Sequence, residues 1–215
     1  MVISKVLKNG YLLSTGLLVV CYTLGIVGLC SPYQQQVLPL TPLILLATAG
    51  LLLGHHQPWH WPFVRFCGVA GAIGFFVEVV GVHTGMIFGS YYYGTPLGWQ
   101  LWGVPVVIGL NWVILVYIAG HLVSPLSVSL SMKCFLGALM VVLIDWLMEP
   151  VAVQLGFWYW TGQHIPTQNY VAWYVLAWGL LRLFYRVGKH PFNPLAPIVY
   201  GVLLGFFGVL GWVLT

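Results

Sequence analysis

The chain has very few acidic side chains: its 215 residues include only three, Glu78, Asp145 and Glu149. Charged residues of both signs together make up 5% of the sequence, whereas hydrophobic residues make up 60%. A soluble domain of this size carries far more charge, so the composition excludes that class and indicates a polytopic membrane protein. The seven lysines and arginines are scattered along the chain, which argues against a basic surface for nucleic acid.

Motifs of several other protein classes are also absent. The four cysteines show no C-x-x-C spacing and are expected to be free thiols. The last apolar segment, 194–214, has no lysine that could bind retinal. No aspartate-rich run is present to hold Mg²⁺ and diphosphate, and no G-x-S-x-G motif is present. These absences argue against a retinal protein, a prenyltransferase and a serine hydrolase.

Long apolar runs divide the chain into candidate membrane helices. About 20 apolar residues span the hydrocarbon core as a helix, and seven segments qualify: 10–30, 39–54, 64–82, 101–121, 131–149, 169–187 and 194–214. The first run is too long for a signal-peptide core and no cleavage site follows, so an uncleaved span is expected. No linker interrupts the sequence, which predicts one all-α transmembrane domain over residues 1–215.

The basic residues predict the orientation of this helix bundle. With the amino terminus on the inner side, all seven lie at or next to inner helix ends: Lys5, Lys8, Arg65, Lys133, Arg182, Arg186 and Lys189. The outer segments 31–38, 83–100 and 150–168 contain no Lys or Arg. The positive-inside rule then predicts seven spans, with the amino terminus inside and the carboxyl terminus outside. The expected location is the inner membrane of a prokaryote.

The same topology puts the three carboxyls at one depth, near the outer ends of two helices. Asp145 and Glu149 are four residues apart and therefore share a helical face. Glu78 shares a face with four glycines of its own helix: Gly68, Gly71, Gly74 and Gly81. Such a stripe is typical of close helix packing in membranes, so Glu78 is expected to point into the bundle. A similar stripe in the last helix is assigned to packing alone: Gly201, Gly205 and Gly208.

Two aromatic segments flank the carboxyls and are expected to cover them. Residues 83–103 read HTGMIFGSYYYGTPLGWQLWG, and residues 156–173 read GFWYWTGQHIPTQNYVAW. An interfacial aromatic belt accounts for part of this enrichment. It does not account for the much lower aromatic content of the inner loops, where Trp59 and Trp61 are the exceptions.

A structural role and a metal site are two alternatives for the carboxyls. In a structural role, hydrogen-bond partners would come from Asn111, His83, His164 or Gln154, because the basic residues lie at the opposite membrane face. A carboxylate–histidine metal site lacks the Glu-x-x-His spacing of di-iron bundles. A further histidine cluster lies on the inner side and is interpreted as interfacial: His55, His56 and His60.

Acid–base chemistry on an apolar, uncharged substrate is the third interpretation. Burial disfavours an ionised carboxyl, and a neighbouring acid disfavours it further, so one of the three is expected to be protonated near neutrality. A second carboxylate could deprotonate a water molecule. Trp and Tyr faces would stabilise a carbocation by about 0.5 to 2 kcal/mol per ring. Protonating an alkene and trapping the cation with water needs this set of groups and no cofactor.

Two stretches of the sequence resemble the carotenoid hydratase family of integral membrane proteins. The first reads EVVGVHTGMIFGSYYYGTPLGWQLWGVPVVIGLNW from Glu78, and the second reads DWLMEPVAVQLGFWYWTGQHIPTQNYVAWY from Asp145. The shared pattern is an acid followed by G-x-x-x-G-x-x-F-G-x-Y-x-Y, then D-x-x-x-acid-P, W-x-W and N-x-x-x-W. The resemblance covers roughly residues 75–180.

The resemblance implies addition of water across the terminal 1,2 double bond of an acyclic (ψ) carotenoid end, giving a tertiary 1-hydroxyl. The family's acidic positions match Glu78, Asp145 and Glu149. Its aromatic and asparagine positions match Tyr91, Tyr93, Trp158, Trp160, Trp173 and Asn169. We add Trp102 and Asn111 as substrate-binding candidates.

Chemistry, rather than the resemblance, suggests a role for each acid. Protonation at C2 gives a tertiary cation at C1, and Asp145 is the expected donor because it lies deeper than Glu149. Glu78 or Glu149, together with water, is the expected base. No metal or organic cofactor is expected.

The expected partners are an apolar carotenoid such as lycopene or γ-carotene, water, the bilayer and other carotenoid-pathway enzymes. Nucleic acid is not expected to bind. Two alternative functions stay open: a carotenoid end-group cyclase or isomerase, and a proton- or cation-coupled transporter. Hydration adds one water to the substrate mass, cyclisation leaves the mass unchanged, and transport gives no product.

Overall fold

The computed structural model describes residues 2–162, 164–187 and 192–214, with side chains from Gly10 onward. Within these residues the chain folds into seven long helices and one short helix. They are α1 (Val2–Leu29), α2 (Gln34–Val37), α3 (Thr41–Gly54), α4 (Trp61–Thr84), α5 (Val107–Val123), α6 (Leu130–Gln154), α7 (Thr167–Arg186) and α8 (Leu195–Leu214). One turn of 3₁₀-helix, Leu38–Leu40, joins α2 to α3. The predicted helical class is confirmed.

Within the described residues, five helical segments are long and apolar enough to cross a membrane: Gly10–Leu29, Gln34–Gly54, Trp61–Thr84, Leu130–Gln154 and Leu195–Leu214. α5 is apolar but shorter, with 17 residues. Long apolar helices of this kind make the chain a membrane protein. Seven spans and an inner amino terminus remain predictions, and Lys189, one of the basic residues behind them, lies outside the described residues.

α5 forms the centre of the bundle. Fourteen of its 17 residues are buried, as expected for a helix that is apolar on all sides. It packs against α3, α4, α6, α7 and α8. α1 lies at the periphery against α8, where Gly25 approaches the ring of Phe206.

The glycine stripe of α4 lets bulky or backbone groups of neighbouring elements come close. A Cβ at Gly74 would lie 2.5 Å from Cγ of Trp112, and one at Gly81 would lie 2.6 Å from Cδ2 of Phe88. A Cβ at Gly71 would meet the Gly109 carbonyl oxygen at 3.4 Å. Gly68 has no such neighbour within 4 Å. Three of the four predicted glycines therefore serve close packing.

The packing role predicted for the glycines of the last helix is wrong. A Cβ would meet nothing within 4 Å at any of the three positions, which are Gly201, Gly205 and Gly208. All three are exposed on the outer surface of α8, while Leu203, Phe207 and Leu210 form its buried face. A stripe of small residues in a sequence does not by itself say which side of a helix has a neighbour.

The connections between helices contain short strands that the all-α prediction did not include. They are β1 (Tyr91–Tyr93), β2 (Gln100–Leu101), β3 (Val104–Pro105) and β4 (Trp158–Trp160). β1 pairs with β4 and β2 pairs with β3, both antiparallel. The β2–β3 hairpin turns at Trp102 (φ 52°) and Gly103 (φ 76°), since two-residue hairpin turns of this type need positive φ. This hairpin is why α5 starts at Val107 and not at the predicted residue 101.

The end of α6 also differs from the prediction, because the helix continues through Pro150 to Gln154 instead of stopping at 149. Proline has no backbone N–H group, so Pro150 removes one hydrogen bond from the helix. The turn that follows keeps its hydrogen bonds, with the Leu155 N–H donating to the Val151 carbonyl at 2.9 Å. The extra turn carries the chain directly from Glu149 into β4.

The interpretation of the inner histidines as interfacial is wrong for His56. This side chain is 1% exposed, and its ring stacks on Phe63 at a centroid distance of 3.6 Å. Its Nδ1 lies 3.0 Å from the Tyr117 hydroxyl, which also accepts a hydrogen bond from Asn193 at 2.9 Å. We call His56, Tyr117, His121 and Asn193 the histidine cluster.

Candidate active site

The structure brings all three acidic side chains together at one end of the bundle. Glu78 lies one and a half turns before the end of α4, and Asp145 and Glu149 lie in the last three turns of α6. Their exposed fractions are 3%, 0% and 2%. α7 begins beside them and contributes Asn169, which is also buried. We call these four residues the acid site.

Glu78 accepts hydrogen bonds from three neutral donors. The hydroxyl groups of Tyr91 and Tyr93 donate to Oε2, at 2.5 and 2.9 Å. The indole Nε1 of Trp112 donates to Oε1 at 3.3 Å. Burial, followed by the nearby Glu78 carboxyl, raises the pKa of both tyrosines, so they remain neutral donors at physiological pH.

Glu149 is held in a similar way, but by indoles. Trp158 and Trp160 donate to Oε2 through their Nε1 atoms, at 3.1 and 2.8 Å. The side-chain amide of Asn169 donates to Oε1 at 3.1 Å. The same amide nitrogen donates to Oδ2 of Asp145 at 2.9 Å. Asn169 therefore bridges Asp145 and Glu149.

Five of the six carboxyl oxygens accept a hydrogen bond from a described donor. The sixth, Oδ1 of Asp145, is buried and has no protein partner within the described part of the chain. A carboxyl oxygen without a donor is suited to carry a proton, whereas one that accepts two N–H or O–H bonds is suited to carry charge. The hydrogen-bond pattern thus distinguishes Asp145 from the other two acids.

The pairing of β1 with β4 explains how four aromatic donors reach the acids. Tyr91 lies opposite Trp160, and Tyr93 lies opposite Trp158. Because side chains alternate between the two faces of a strand, these four project together toward the carboxyls. The middle pair, Tyr92 and Tyr159, projects the other way, with 54% and 41% exposure.

Two glycines allow the loops that carry β1 and β4 to approach this closely. A Cβ at Gly94 would lie 2.0 Å from the Gly156 carbonyl oxygen, so only glycine fits there. Gly156 itself has φ 69°, a conformation that L side chains rarely adopt. The Gly94 N–H also donates to the Phe157 carbonyl at 2.9 Å. These contacts fix the two loops as one cover above the acids.

Trp112 and Phe88 are two site residues that the sequence analysis did not select. Trp112 on α5 is fully buried and stacks on Trp173 of α7, with ring centroids 4.4 Å apart. Phe88 fills the space left by Gly81. The glycine stripe of α4 was the available signal, because a glycine beside a buried acid implies a bulky partner on a neighbouring element.

A small cavity borders two of the acids, and a larger cavity shares part of its wall with the small one. The smaller, of about 20 Å³, is bounded by Glu78 and Glu149 and by the rings that donate to them. A cavity of this size holds about one water molecule. The larger, of about 370 Å³, is apolar and lies between α1, α3, α5, α6 and α8. Four residues border both cavities: Ile108, Asn111, Met148 and Trp158.

Most of the predicted site residues lie at these cavities, but Trp102 does not. Tyr91, Tyr93, Trp158, Trp160, Trp173, Asn169 and Asn111 all border the smaller cavity. Trp102 is 56% exposed at the tip of the β2–β3 hairpin and packs against the ring of Phe76. Its positive φ directs it away from the acids. Asp145 lies behind Asn169 and does not border either cavity.

None of the four residues considered as hydrogen-bond partners of the acids, namely Asn111, His83, His164 and Gln154, is among the described donors to the carboxyls. The imidazoles of His83 and His164 are exposed, and each contacts a backbone carbonyl of its own segment, Val79 and Gly162 respectively. Within the described residues no group of three His, Cys, Asp or Glu side chains is arranged to hold a metal ion. Gln154 is exposed as well.

The fold and the site define a helical membrane protein with a buried carboxyl cluster under an aromatic cover. A family described as "Carotenoid biosynthesis protein" matches residues 38–208, which is most of the chain. The chain therefore belongs to this family. The matched range extends from the 3₁₀ turn before α3 into α8, beyond the segments in which the sequence analysis found motifs.

One curated relative carries a more specific name. A bisanhydrobacterioruberin hydratase from Haloarcula japonica is 32% identical over 108 residues, which are 45% of this chain and 36% of that protein. The chain thus matches little more than a third of the length of this relative. No solved structure matches the chain.

Proposed function

We propose that this protein is a carotenoid 1,2-hydratase, which adds water across the terminal double bond of an acyclic carotenoid end. The observation that carries the proposal is the smaller cavity, a water-sized space bordered by two carboxyl groups, Glu78 and Glu149. Membership of a carotenoid biosynthesis family and the hydratase name of the relative support the substrate class and the reaction.

The reaction begins with proton transfer from the Asp145–Glu149 pair to C2 of the alkene, which leaves a tertiary cation at C1. Two carboxyls bridged by one amide in apolar surroundings hold one proton more readily than two negative charges. Oδ1 of Asp145, without a donor, is the atom suited to carry that proton at rest. Glu149 is the member of the pair that borders the smaller cavity, so we assign donation to the pair as a unit.

The aromatic residues stabilise the cation while it exists. Trp158, Trp160, Trp173 and the two tyrosines border the smaller cavity, and their faces carry partial negative charge. Each ring contributes about 0.5 to 2 kcal/mol to a nearby cation, and more where water is excluded. Among the side chains that the structure describes, no basic residue contacts the acids, which suits the same purpose, since a fixed positive charge would oppose the cation.

Water then completes the reaction. Its oxygen forms a bond to C1, and Glu78 accepts the proton that the water loses, so the net change is one H₂O added. Three donors hold Glu78 in a geometry that favours the ionised form. The cycle closes when Glu78 gives up the proton that it accepted and the Asp145–Glu149 pair takes one up, and no metal or organic cofactor takes part.

The test is expression of the chain in a host that makes lycopene or γ-carotene, with pigment analysis by liquid chromatography and mass spectrometry. We expect a more polar pigment that is heavier by one water. A new pigment of unchanged mass would instead indicate end-group cyclisation, the second candidate reaction. Unchanged pigments together with ion flux in proteoliposomes would indicate a transporter. The inner-membrane location and contacts with other pathway enzymes are part of the proposal and can be tested in the same cells by fractionation.

A further inference from the structure

The larger cavity lies next to the acid site but plays no part in the chemistry described so far. Its wall contains 21 residues, almost all of them apolar, mainly from α1, α3, α5, α6 and α8. At about 370 Å³ it is near the lower end of the range found for small-molecule pockets, roughly 300–1,000 Å³. An apolar cavity of this size needs an apolar occupant.

The polar groups on the wall are already paired, with one informative exception. The Tyr22 hydroxyl lies 3.1 Å from Oγ1 of Thr48, and the Thr41 hydroxyl donates to the Leu38 carbonyl at 2.8 Å. The indole N–H of Trp158 is taken by Glu149. The side chain of Asn111 has no hydrogen-bond partner in the described part of the chain, and it borders both cavities. Polarity on this wall is thus concentrated where the larger cavity meets the water-sized one.

The opposite side of the cavity reaches the surface of the bundle. Its wall includes Leu24 of α1 and Leu40 of the 3₁₀ turn before α3, which are 63% and 47% exposed. Exposed leucines on the outside of membrane helices face lipid. The cavity therefore runs from a lipid-facing opening between α1 and α3 to the junction at Asn111, and the acids lie just beyond.

We propose that this cavity admits a long polyene sideways from the bilayer between α1 and α3, and holds the chain while its end group reaches the acids past Asn111. This assignment rests on the proposed function for the identity of the ligand. Because the cavity is small for a whole carotenoid, the far end stays in lipid. The protein then acts on one end of the substrate at a time and does not discriminate between far-end groups.

Neighbouring leucines on α3 give a matched pair of variants. Leu45 lines the cavity, whereas Leu46 points away from it and is 55% exposed. Leu45→Trp should lower hydration of lycopene and of γ-carotene about tenfold or more, while Leu46→Trp should leave both within about twofold of the wild type. A short acyclic terpene with the same dimethylalkene end needs only the junction, so both variants should hydrate it like the wild type. Equal rates for the two variants on the long substrates would overturn the proposal.

A binding measurement separates this proposal from the hydration chemistry. Cys21 lines the cavity, whereas Cys30 is exposed and does not. In single-cysteine proteins, lycopene should slow the labelling of Cys21 by an apolar maleimide about fivefold or more, and should leave the labelling of Cys30 unchanged. Protection of Cys21 without a hydrated product would mean that the proposed reaction has failed and the cavity assignment has not. Protection by phospholipid acyl chains alone, with no further effect of lycopene, would identify the cavity as a lipid site and overturn the proposal.

Discussion

Two buried polar clusters lie at opposite ends of the bundle, and their contacts differ in kind. In the acid site, aromatic and amide donors converge on three carboxyls, and the smaller cavity is bordered by Glu78, Glu149 and Asn169. In the histidine cluster, Asn193 donates to the Leu52 carbonyl at 2.7 Å and to Tyr117, and its Oδ1 accepts from the Leu195 N–H. Neither cavity is bordered by a member of the histidine cluster.

The comparison separates two uses of buried polar groups in one molecule. The histidine cluster joins the end of α3 to α5 and to the start of α8 through hydrogen bonds between side chains and to the backbone, which is what a structural link requires. The acid site gathers groups of one charge sign, leaves one carboxyl oxygen without a donor and borders open space. Buried acids without a cationic partner are costly to keep, and this cost is the physical argument for the catalytic role that we propose for them.

The largest effect on turnover is expected from removing the acids. Glu78→Gln, Asp145→Asn and Glu149→Gln should each lower hydration by about 100-fold or more, in line with the usual contribution of a general acid or base. The amides keep the size of the side chains but cannot exchange the proton. Pigment formed per amount of membrane-inserted protein measures the effect. A variant that stays folded with full turnover removes that residue from the mechanism.

Replacing a glycine of the α4 stripe by alanine should have the next largest effect on turnover. Gly74→Ala should lower turnover about tenfold, equivalent to about 1.4 kcal/mol of transition-state stabilisation. The added Cβ displaces Trp112, which stacks on Trp173 and donates to Glu78. Gly68→Ala, one and a half turns earlier on α4, is the control, because a Cβ there has no neighbour within 4 Å. Equal turnover of the two variants, measured in the same membranes, would contradict the role of Trp112.

Side chains on opposite faces of β1 offer a smaller expected effect on turnover together with a matched control. Tyr91→Phe removes one donor to Glu78 and should lower turnover about fivefold, which corresponds to about 1 kcal/mol for one hydrogen bond. Tyr92→Phe is the same change on the adjacent residue, whose side chain projects to the opposite face, and it should have no effect. Initial rates of product formation measure both. Loss of activity in Tyr92→Phe but not in Tyr91→Phe would mean that the face of β1 that carries Tyr92 serves the acids, and would contradict the arrangement described above.

The smallest effect on turnover is expected at the other end of the bundle. Asn193→Ala should leave the activity of the folded protein unchanged but lower its stability by roughly 1–3 kcal/mol, the cost of unsatisfied buried partners. Thermal unfolding in detergent micelles measures the loss. Gln154→Ala, at an exposed position, should change the stability by no more than about 0.5 kcal/mol. A fall in the turnover of folded Asn193→Ala protein would contradict a purely structural role of the histidine cluster.

Much of the fold and part of the candidate site could be predicted from local patterns in the sequence. Apolar runs predicted eleven of the fourteen ends of the seven long helices to within three residues. The three acids were recognisable because apolar surroundings make a charged group expensive. The spacings Y-x-Y and W-x-W also show the two-residue alternation that is typical of a strand, although only helices were predicted. Where glycines set a turn, as in the Trp102–Gly103 hairpin, hydropathy missed the change of structure, since it is insensitive to backbone conformation.

Contacts between distant segments were decided only in the folded chain. The sequence determined that this is a helical membrane protein with three acids at two helix ends, because hydropathy and side-chain period are properties of neighbouring residues. It could not determine that Trp112 donates to Glu78, that Asp145 lies behind Asn169, that Trp102 faces away or that the glycines of α8 lack neighbours. Each of these depends on which helix lies against which and at what rotation, and that is set by packing of residues far apart in the chain.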